Sequence, residues 1–233
     1  MNVDAWFPGD GQSLQRWIDE RTPEKPSKYI HYYAGVDLGK RRDPSTVVVL
    51  RTTYAYGKAN YHAGYLKRFN LQMLYTDISS KLASLDKQLQ QLAAREDKEA
   101  IITYVLDATG IGGPVAEVVC KRLPYARIMK AYITGGISTT YSPEDAWEVH
   151  IPKGQLVSGL MAAFDRGVIT MSENSKEADA ILEELANFEI HISDEGHDSY
   201  YAAPAHHDDL VIALALAVWA ADVDGDSSGP IIW

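Results

Sequence analysis

The stretch YIHYYAGVDLG, residues 29–39, decides the fold because an apolar strand ends there on a carboxylate. Its aromatic, β-branched and small residues are typical of a strand inside a sheet. Asp37 breaks that pattern just before Leu38-Gly39 and the turn KRRDPS. An aspartate beside so apolar a strand is an unusual structural choice, since aspartate is almost never fully buried without a partner. Asp37 is therefore the first candidate for a functional residue.

The segments that follow predict the rest of a sheet. TVVVLRTTY (46–54) and NYHAGYLKRF (60–69) are strand-like, and the short turns before them predict a three-stranded antiparallel meander. The later elements are predicted from helical periodicity, β-branched runs and turn residues. They are a helix over 71–95, a strand over 100–108, a helix from Pro114, a strand over 126–133, a loop over 134–150, helices over about 152–165 and 175–188, a hairpin over about 189–203 and a last helix from Asp208.

This order of elements predicts the fold class. Antiparallel strands followed by strands with helical crossovers form a mixed α/β sheet flanked by helices. The pattern suits the ribonuclease H-like fold, with an added β-hairpin before the last helix. We expect residues 29–222 to form this domain, residues 1–28 a linker or amino-terminal arm rich in turn formers, and residues 223–233 a flexible polar tail.

Composition limits the class of protein. Of the 233 residues, 46% are hydrophobic and 23% charged, which supplies enough apolar surface for one globular core. The single Cys120 excludes an internal disulfide and favours a reducing compartment. The longest apolar run, residues 210–221, is too short to cross a bilayer. We therefore expect a protein without a membrane segment.

Charge is unevenly distributed along the chain. The net charge of −10 argues against indiscriminate binding of nucleic acid. Residues 25–70 are nevertheless mostly basic, whereas residues 173–198 are mostly acidic. The basic third either meets a polyanion or forms a solvated face, and the acidic segment is either a docking surface or another solvated face.

Four carboxylates stand at the ends of predicted elements. Asp37 closes the first strand, Asp107 closes the fourth, and Asp208 and Asp209 open the last helix. If the first and fourth strands are neighbours, their aspartates lie side by side at one edge of the sheet. A helix packed across that edge would bring the other two carboxylates close to them.

Such a cluster predicts a metal site. Clustered carboxylates repel one another unless they are protonated or neutralised by cations. Oxygen ligands without cysteine favour Mg²⁺ or Mn²⁺. Two such ions about 4 Å apart can clamp a phosphodiester, one activating water and the other stabilising the leaving oxygen. Asp37 would be the bridging ligand because the first strand is central.

Each carboxylate could also have an ordinary structural role. Asp208 could cap the last helix, and Asp209 could favour the positive end of the helix dipole. Asp107 could be a turn residue before Gly110. The glycine-rich turn TGIGG (109–113) could hold a phosphate at a helix N-terminus or be only a tight turn. The carboxylates considered together favour the metal site over separate structural roles.

Four stretches, in this order, resemble the nuclease domain of bacteriophage terminase large subunits. They are AGVDLGKRRDPSTVVVL, YVLDATGIGGPVAEVV, IPKGQLVSGLMAAFDRGVI and HDDLVIALALAVW. The resemblance runs from about Tyr29 to Ala221. It depends on an aspartate in the first strand followed by Asp-Pro-Ser, on Asp-x-x-Gly-x-Gly after the fourth strand, and on His-Asp-Asp-Leu at the last helix.

The resemblance implies a two-metal-ion DNA endonuclease. Its catalytic residues and metal ligands would be Asp37, Asp107, Asp208 and Asp209, with two divalent cations, Mg²⁺ or Mn²⁺, as cofactors. Its reaction would be the cutting of double-stranded concatemeric viral DNA when genome packaging into the procapsid starts and ends. The implied partners are double-stranded DNA, a packaging ATPase domain that is absent from this chain, the small terminase subunit and the portal protein. The implied location is the cytoplasm of the infected bacterial host.

Six further residues are candidates for auxiliary roles. Members of the family tend to carry a lysine at the position of Lys153. Lys40, Arg41 and Arg42 follow Asp37 and could contact DNA phosphates, or form a solvated turn. His206 and His207 could assist proton transfer, although a histidine at a helix end is more often structural. The resemblance also implies that the predicted hairpin, 189–203, lies near the active site.

Three other functions compete with this interpretation. A Holliday-junction resolvase or another ribonuclease H-like nuclease would use the same carboxylates, and cleavage of a four-way junction distinguishes it. An actin-like or sugar-kinase-like ATPase is suggested by DLGKRRDPST and DATG, but such a protein needs duplicated domains and gives the His-Asp-Asp helix no role. An inactive docking module is the third, and the intact carboxylates argue against it.

Overall fold

The helices and strands follow the predicted order. A computed structural model of the chain describes residues 27–39, 43–55, 58–109, 113–172, 175–192, 198–202 and 208–226. The strands are β1 (Tyr29–Asp37), β2 (Thr46–Ala55), β3 (Lys58–Arg68), β4 (Glu99–Asp107), β5 (Arg127–Thr134), β6 (Thr140–Tyr141), β7 (Glu148–Pro152), β8 (Ile169–Met171), β9 (Phe188–Ile192) and β10 (Asp198–Ala202). The helices are α1 (Tyr75–Ala94), α2 (Gly113–Arg122), α3 (Lys153–Asp165), α4 (Lys176–Ala186) and α5 (Asp209–Asp226).

Eight strands form one mixed sheet in the order β6-β7-β5-β4-β1-β2-β3-β8. β1 is antiparallel to β2 and parallel to β4, as the meander and the crossover predict. β9 and β10 form a separate hairpin immediately before α5. The predicted mixed α/β sheet flanked by helices, with its added hairpin, is therefore confirmed. The predicted domain boundary at residue 222 falls inside α5.

One prediction about the sheet was wrong. Residues 134–150 were expected to form a loop, but they contain β6 and the first part of β7. β7 is parallel to β5, and two residues of β6 pair with β7 at the edge of the sheet. The strands were missed because β6 is only two residues long and β7 is interrupted by polar side chains.

Two apolar layers hold the helices against the sheet. On one face, α1 and α2 cover residues of β1, β2 and β4 that include Tyr32, Val47 and Tyr104. On the other face, α3, α4 and α5 cover residues that include Tyr33 and Val105. The alternation of side chains along each strand separates the two layers, since neighbouring residues point to opposite faces.

Helix α5 is the centre of the second layer. Every residue from 210 to 221 is buried. A helix that is apolar all round is an interior helix, which explains a sequence without an amphipathic pattern. At its carboxyl end, Tyr33 Oη donates a hydrogen bond to Asp224 and Tyr61 Oη donates one to Asp222. No helix in the described residues is long and apolar enough to cross a membrane.

Gly35 lets α5 lie directly on β1. A Cβ atom at residue 35 would stand 1.8 Å from the carbonyl oxygen of Ala213 and 2.9 Å from the backbone nitrogen of Ala217. A side chain of any size would therefore collide with the backbone of the helix. Because Gly35 precedes Asp37 by two residues, this close contact occurs beside the carboxylate that ends β1.

A register shift in β3 changes which of its residues face α5. Val49 of β2 pairs with Tyr65 and Leu50 pairs with Ala63, so Gly64 is left over. Such an extra residue inverts the alternation of the residues that follow it. Ala63 and Leu66 consequently both belong to the apolar layer that α5 covers. Arg68 lies on the same side of the sheet.

We expect Gly35→Ala to destabilise the fold. The added methyl group forces α5 away from β1, and overpacking of this kind costs about 1–3 kcal/mol in the free energy of unfolding. Urea denaturation measures the loss. Gly159→Ala is the matched control, because residue 159 lies in α3 with no atom within 4 Å of an added Cβ. That substitution should be neutral or slightly stabilising, and equal stability of the two variants would contradict the close contact.

Candidate metal-binding site

Asp37 and Asp107 end neighbouring parallel strands. They are register partners in the β1–β4 ladder, so their backbones are one strand spacing apart, about 4.8 Å. The residue two positions before each aspartate packs against α5. Gly35, before Asp37, lies against Ala213, and Val105, before Asp107, belongs to the apolar layer that α5 covers. Both carboxylates therefore lie on the α5 face of the sheet, as the sequence predicted.

Asp208 reaches the same edge from the start of α5. Its carbonyl oxygen accepts the first hydrogen bond of the helix, 2.8 Å from the backbone nitrogen of Ile212. Its side-chain Oδ2 lies 2.7 Å from Nζ of Lys153, the first residue of α3. Lys153 directly follows β7, whose carboxyl end lies at the same edge of the sheet. The structure thus places three of the predicted aspartates and the predicted lysine together.

This edge of the sheet carries an acidic cluster that Lys153 compensates only in part. Burial raises the pKa of Asp37 well above its ordinary value of 3.8, and Asp107, Asp209 and Asp208 raise it further. Burial also raises the pKa of Asp107, although the amide of Thr109 donates to its carboxylate at 2.8 Å and opposes the shift. These carboxylates are close enough to interact strongly, and they hold protons more tightly than isolated aspartates do.

Asp209 has different partners from Asp208. Its side chain is almost fully buried and accepts two hydrogen bonds from Arg68, at 2.9 Å from Nε and 3.2 Å from Nη2. The Nη2 atom of Arg68 also contacts Glu184 of α4. Thr46 Oγ1 donates to the carbonyl oxygen of Asp209 at 2.9 Å. These contacts tie the first residue of α5 to β2, β3 and α4.

Glu184 caps α5 from outside the helix. Its Oε2 accepts hydrogen bonds from the backbone nitrogens of Leu210 and Val211, at 3.2 and 3.1 Å. An N-cap side chain ordinarily bonds amides at these positions. Burial and the nearby Asp209 raise the pKa of Glu184 to about 7, while Val211 and Arg68 act in the opposite direction. Because Glu184 bonds these amides, the Asp208 carboxylate is directed to Lys153.

The sequence analysis missed the residues that hold α5 in place, Arg68 and Glu184. Glu184 had a signal: the buried positions of α4 are Ala178, Ile181 and Glu184, so a carboxylate stands on the apolar face of that helix. Only an indirect signal pointed to Arg68, namely Gly64 at the centre of β3. Without the register shift at that glycine, Arg68 would face away from α5.

Several predicted site residues lie outside the described part of the chain. They are Lys40, Arg41, Arg42, His206 and His207. Part of the turn TGIGG, residues 110–112, also lies outside it. Their proposed contacts with DNA, and the proposed proton transfer, stay predictions.

The donor set suits a hard divalent cation. Within the described residues, no three histidine, cysteine or acidic side chains are already grouped around a common position that could hold a metal ion. The oxygens of Asp37, Asp107 and Asp208 are nevertheless the ligand type that Mg²⁺ and Mn²⁺ prefer. A cation would also relieve the repulsion that raises the pKa of Asp37. By the chemistry of these donors, the residues fit such an ion.

Comparison with solved structures places the fold among viral nucleases. The large terminase nuclease of thermophilic phage G20c with bound magnesium is 24% identical, with 84% of each chain covered and a TM-score of 0.54. The nuclease domain of the Thermus phage P74-26 large terminase is 23% identical, covering 81% of this chain and 78% of that one, with a TM-score of 0.51. The manganese-soaked human cytomegalovirus terminase nuclease domain is 13% identical, with 94% and 97% covered and a TM-score of 0.57.

The chain has the fold of the terminase nuclease domains. This agreement confirms the ribonuclease H-like architecture that the order of the elements predicted. No protein-family model and no curated protein matches the sequence. The terminase nuclease fold is thus established by structure.

We expect the stability of the cation-free protein to fall as pH rises. Asp37 and Asp107 have raised pKa values in the folded protein. Their contribution to stability is therefore complete below about pH 4 and is lost as pH rises through the folded values. Asp37→Asn removes part of this loss, so in EDTA the variant should unfold at higher urea than wild type at pH 8 but not at pH 4. A pH-independent difference between them, or the same behaviour in the exposed control Asp165→Asn, would contradict the cluster.

We expect Glu184→Ala to destabilise α5. The substitution leaves two amides uncapped and removes one carboxylate from the half-buried guanidinium of Arg68. Loss of a cap costs about 1 kcal/mol, and the weakened ion pair adds less than the roughly 3–5 kcal/mol of a fully buried pair. Glu184→Gln should lose less, since its amide oxygen still accepts from the helix. Thermal unfolding measures both, with Glu183→Ala on the exposed side of α4 as the control. Equal melting temperatures for Glu184→Ala and Glu183→Ala would refute the capping role.

Proposed function

We propose that the chain is a metal-dependent DNA endonuclease that cuts double-stranded concatemeric viral DNA when genome packaging into a procapsid starts and ends. One observation carries the proposal. Asp37, Asp107 and Asp208 come together at one edge of a sheet whose fold is that of terminase nucleases. The G20c nuclease has been solved with bound magnesium and the cytomegalovirus nuclease after a manganese soak.

Two divalent cations, Mg²⁺ or Mn²⁺, would activate water and stabilise the leaving oxygen of the phosphodiester. We assign their ligands to Asp37, Asp107 and Asp208. Asp37 would be the ligand shared by both ions, because β1 lies between β4 and β2 and its carboxylate interacts with Asp107 and Asp208. The donors are held on rigid strand and helix ends, which is the arrangement that preserves ligand geometry.

We assign different roles to Asp208 and Asp209. Both were predicted as ligands. The Asp209 carboxylate is almost fully buried and bonded twice to Arg68, so its work is to hold α5 in place. The Asp208 carboxylate is less buried and contacts the ammonium group of Lys153. Lys153 orients Asp208 in this proposal and is close enough to the ligands to reach a phosphate oxygen of the substrate.

The wider assembly follows from the same proposal. A nuclease of this kind acts on DNA that a packaging ATPase moves, together with a small terminase subunit and a portal protein, in the cytoplasm of an infected bacterium. Lys40, Arg41 and Arg42 follow the bridging aspartate in sequence and are proposed to contact the DNA backbone. His206 and His207 directly precede Asp208 and are proposed to assist proton transfer.

Plasmid cleavage tests the reaction and the division between the two adjacent aspartates. Wild type should nick and linearise supercoiled DNA with Mg²⁺ or Mn²⁺ and stop in EDTA. Asp37→Asn and Asp208→Asn each remove a ligand and should lower the rate by about a hundredfold or more without a loss of stability, since loss of a partner outside the ligand shell already costs about 10–100-fold. Asp209→Asn should instead lower the melting temperature, since it weakens the ion pair between the nearly buried Asp209 carboxylate and Arg68.

Asp165→Asn, at the far end of α3 from Lys153, should cut at the wild-type rate. Undiminished cutting in EDTA or in Asp37→Asn would exclude metal-dependent hydrolysis at this site. Faster cutting of a four-way junction than of linear duplex would favour a junction resolvase with the same site.

A further inference from the structure

A polar groove lies beside the candidate metal site, on the other face of the sheet. It has a volume of about 410 Å³ and runs between the end of β3 and the outer side of α1. Its polar walls are Lys67, Asn70, Lys81, Ser84 and Gln88, above an apolar floor. None of the described residues that line it is acidic.

The two lysines of the groove are available to an external anion. The Lys67 side chain is 50% exposed, and the ion pair that it forms with Glu177 is long at 3.8 Å. Pairs of this kind contribute little and are readily exchanged. Lys81 is exposed and forms no salt bridge among the residues that the structure describes. Both ammonium groups can therefore be neutralised by phosphates.

The register of the sheet fixes the backbone distance between the strand ends that carry the two sites. Asp37 pairs with Thr46, and Thr46 pairs with Arg68, so two strand spacings, about 10 Å, separate Asp37 from Arg68. Arg68 borders the groove and its guanidinium bonds Asp209. The grooves of B-form DNA are about 6 and 12 Å wide. The two strand ends are therefore separated by a distance comparable to the width of one DNA groove.

The loop that closes the groove has two further properties of a contact surface. Gln72 has a positive φ of 69°, which a non-glycine residue adopts at a cost. Leu71 and Leu74 are 49% and 66% exposed on either side of it. The loop therefore presents apolar side chains beside a basic groove.

We propose that this groove binds the sugar-phosphate backbone of duplex DNA through Lys67 and Lys81, on the strand opposite to the one being cut. This inference rests on the proposed nuclease function and extends it to a substrate-docking surface. The register shift at Gly64 is what gives β3 two functions, because it directs Arg68 to α5 and leaves Lys67 for the groove.

The lysines could instead protect the edge of the sheet or bind an acidic protein segment. Lysines at the open edge of a sheet prevent edge-to-edge association, and β3 pairs with β8 only over Tyr61–Ala63. An acidic segment of a partner protein is the second anion that would fit the groove. Neither role predicts a contribution of these lysines to the salt dependence of DNA binding, so one measurement separates both from DNA docking.

The test measures the affinity for a fluorescent 30-base-pair duplex in EDTA, where no cutting occurs, over a range of salt concentrations. Each phosphate contact contributes about −0.9 to the slope of log K against log salt. The double variant Lys67→Gln/Lys81→Gln should therefore bind more weakly at low salt, with a slope smaller in magnitude by about 2. In Mn²⁺, its KM for DNA should rise while its kcat stays within about twofold of wild type.

The matched control is Lys58→Gln/Lys87→Gln, which removes the same charge. Lys58 is the first residue of β3, at the opposite end of the strand from Lys67, and Lys87 lies on α1 outside the groove. This variant should keep the wild-type slope. If the wild type binds and cuts DNA but both double variants have the same slope, the docking surface alone is overturned.

The remaining outcomes assign the lysines to a different role or reject the whole proposal. A gel-filtration shift to oligomers with an unchanged slope would assign the lysines to edge protection. If the Lys67→Gln/Lys81→Gln variant no longer binds polyglutamate but keeps the wild-type salt slope for DNA, the lysines bind a protein partner. A wild type that neither binds nor cuts DNA would overturn the proposed function and the inference together.

Discussion

The contact of α5 with the backbone of β1 at Gly35 is the constraint on which the site depends. A helix normally packs on a sheet through side chains on both surfaces, but at Gly35 the strand contributes none. The helix therefore lies closer to β1 than a side chain would allow, and its first turn arrives beside the end of that strand. Asp208 is adjacent to Asp37 and Asp107 for this reason, rather than because of any attraction among the three. Their charges oppose the arrangement, and the burial of residues 210–221 maintains it.

The start of α5 is held by groups other than the ones that form the proposed metal site. Glu184 bonds the helix amides, and Arg68 bonds Asp209, so neither task falls to Asp208. A buried ionic cluster of this kind is weak evidence for added stability, because desolvation offsets most of the attraction. Its value is positional: it fixes where the next residue along the chain must lie. Two adjacent aspartates that look alike in the sequence thus have different environments.

The sequence predicted the parts of this arrangement that depend on local pattern. The apolar strand ending at Asp37 and the strand ending at Asp107 indicated the neighbouring strands of the ladder, and the all-apolar run after Asp209 indicated an interior helix. The contacts between distant elements were not predictable in this way. Glu184 bonds amides 26 and 27 residues away, and the orientation of Arg68 depends on one unpaired glycine earlier in β3. β6 was missed because two residues carry no periodicity.

The two tyrosines at the other end of α5 have a consequence for how the site could be switched. Acidic residues are unfavourable near the carboxyl end of a helix, yet Asp222 and Asp224 are retained there and bonded by Tyr61 and Tyr33. Together with Glu184 and Arg68, they anchor the helix at both ends. A sliding movement by one turn, about 5.4 Å, would break all of these contacts at once. Control of the proposed site by a ratchet of α5 is therefore disfavoured, and regulation is better achieved by controlling what reaches the carboxylates.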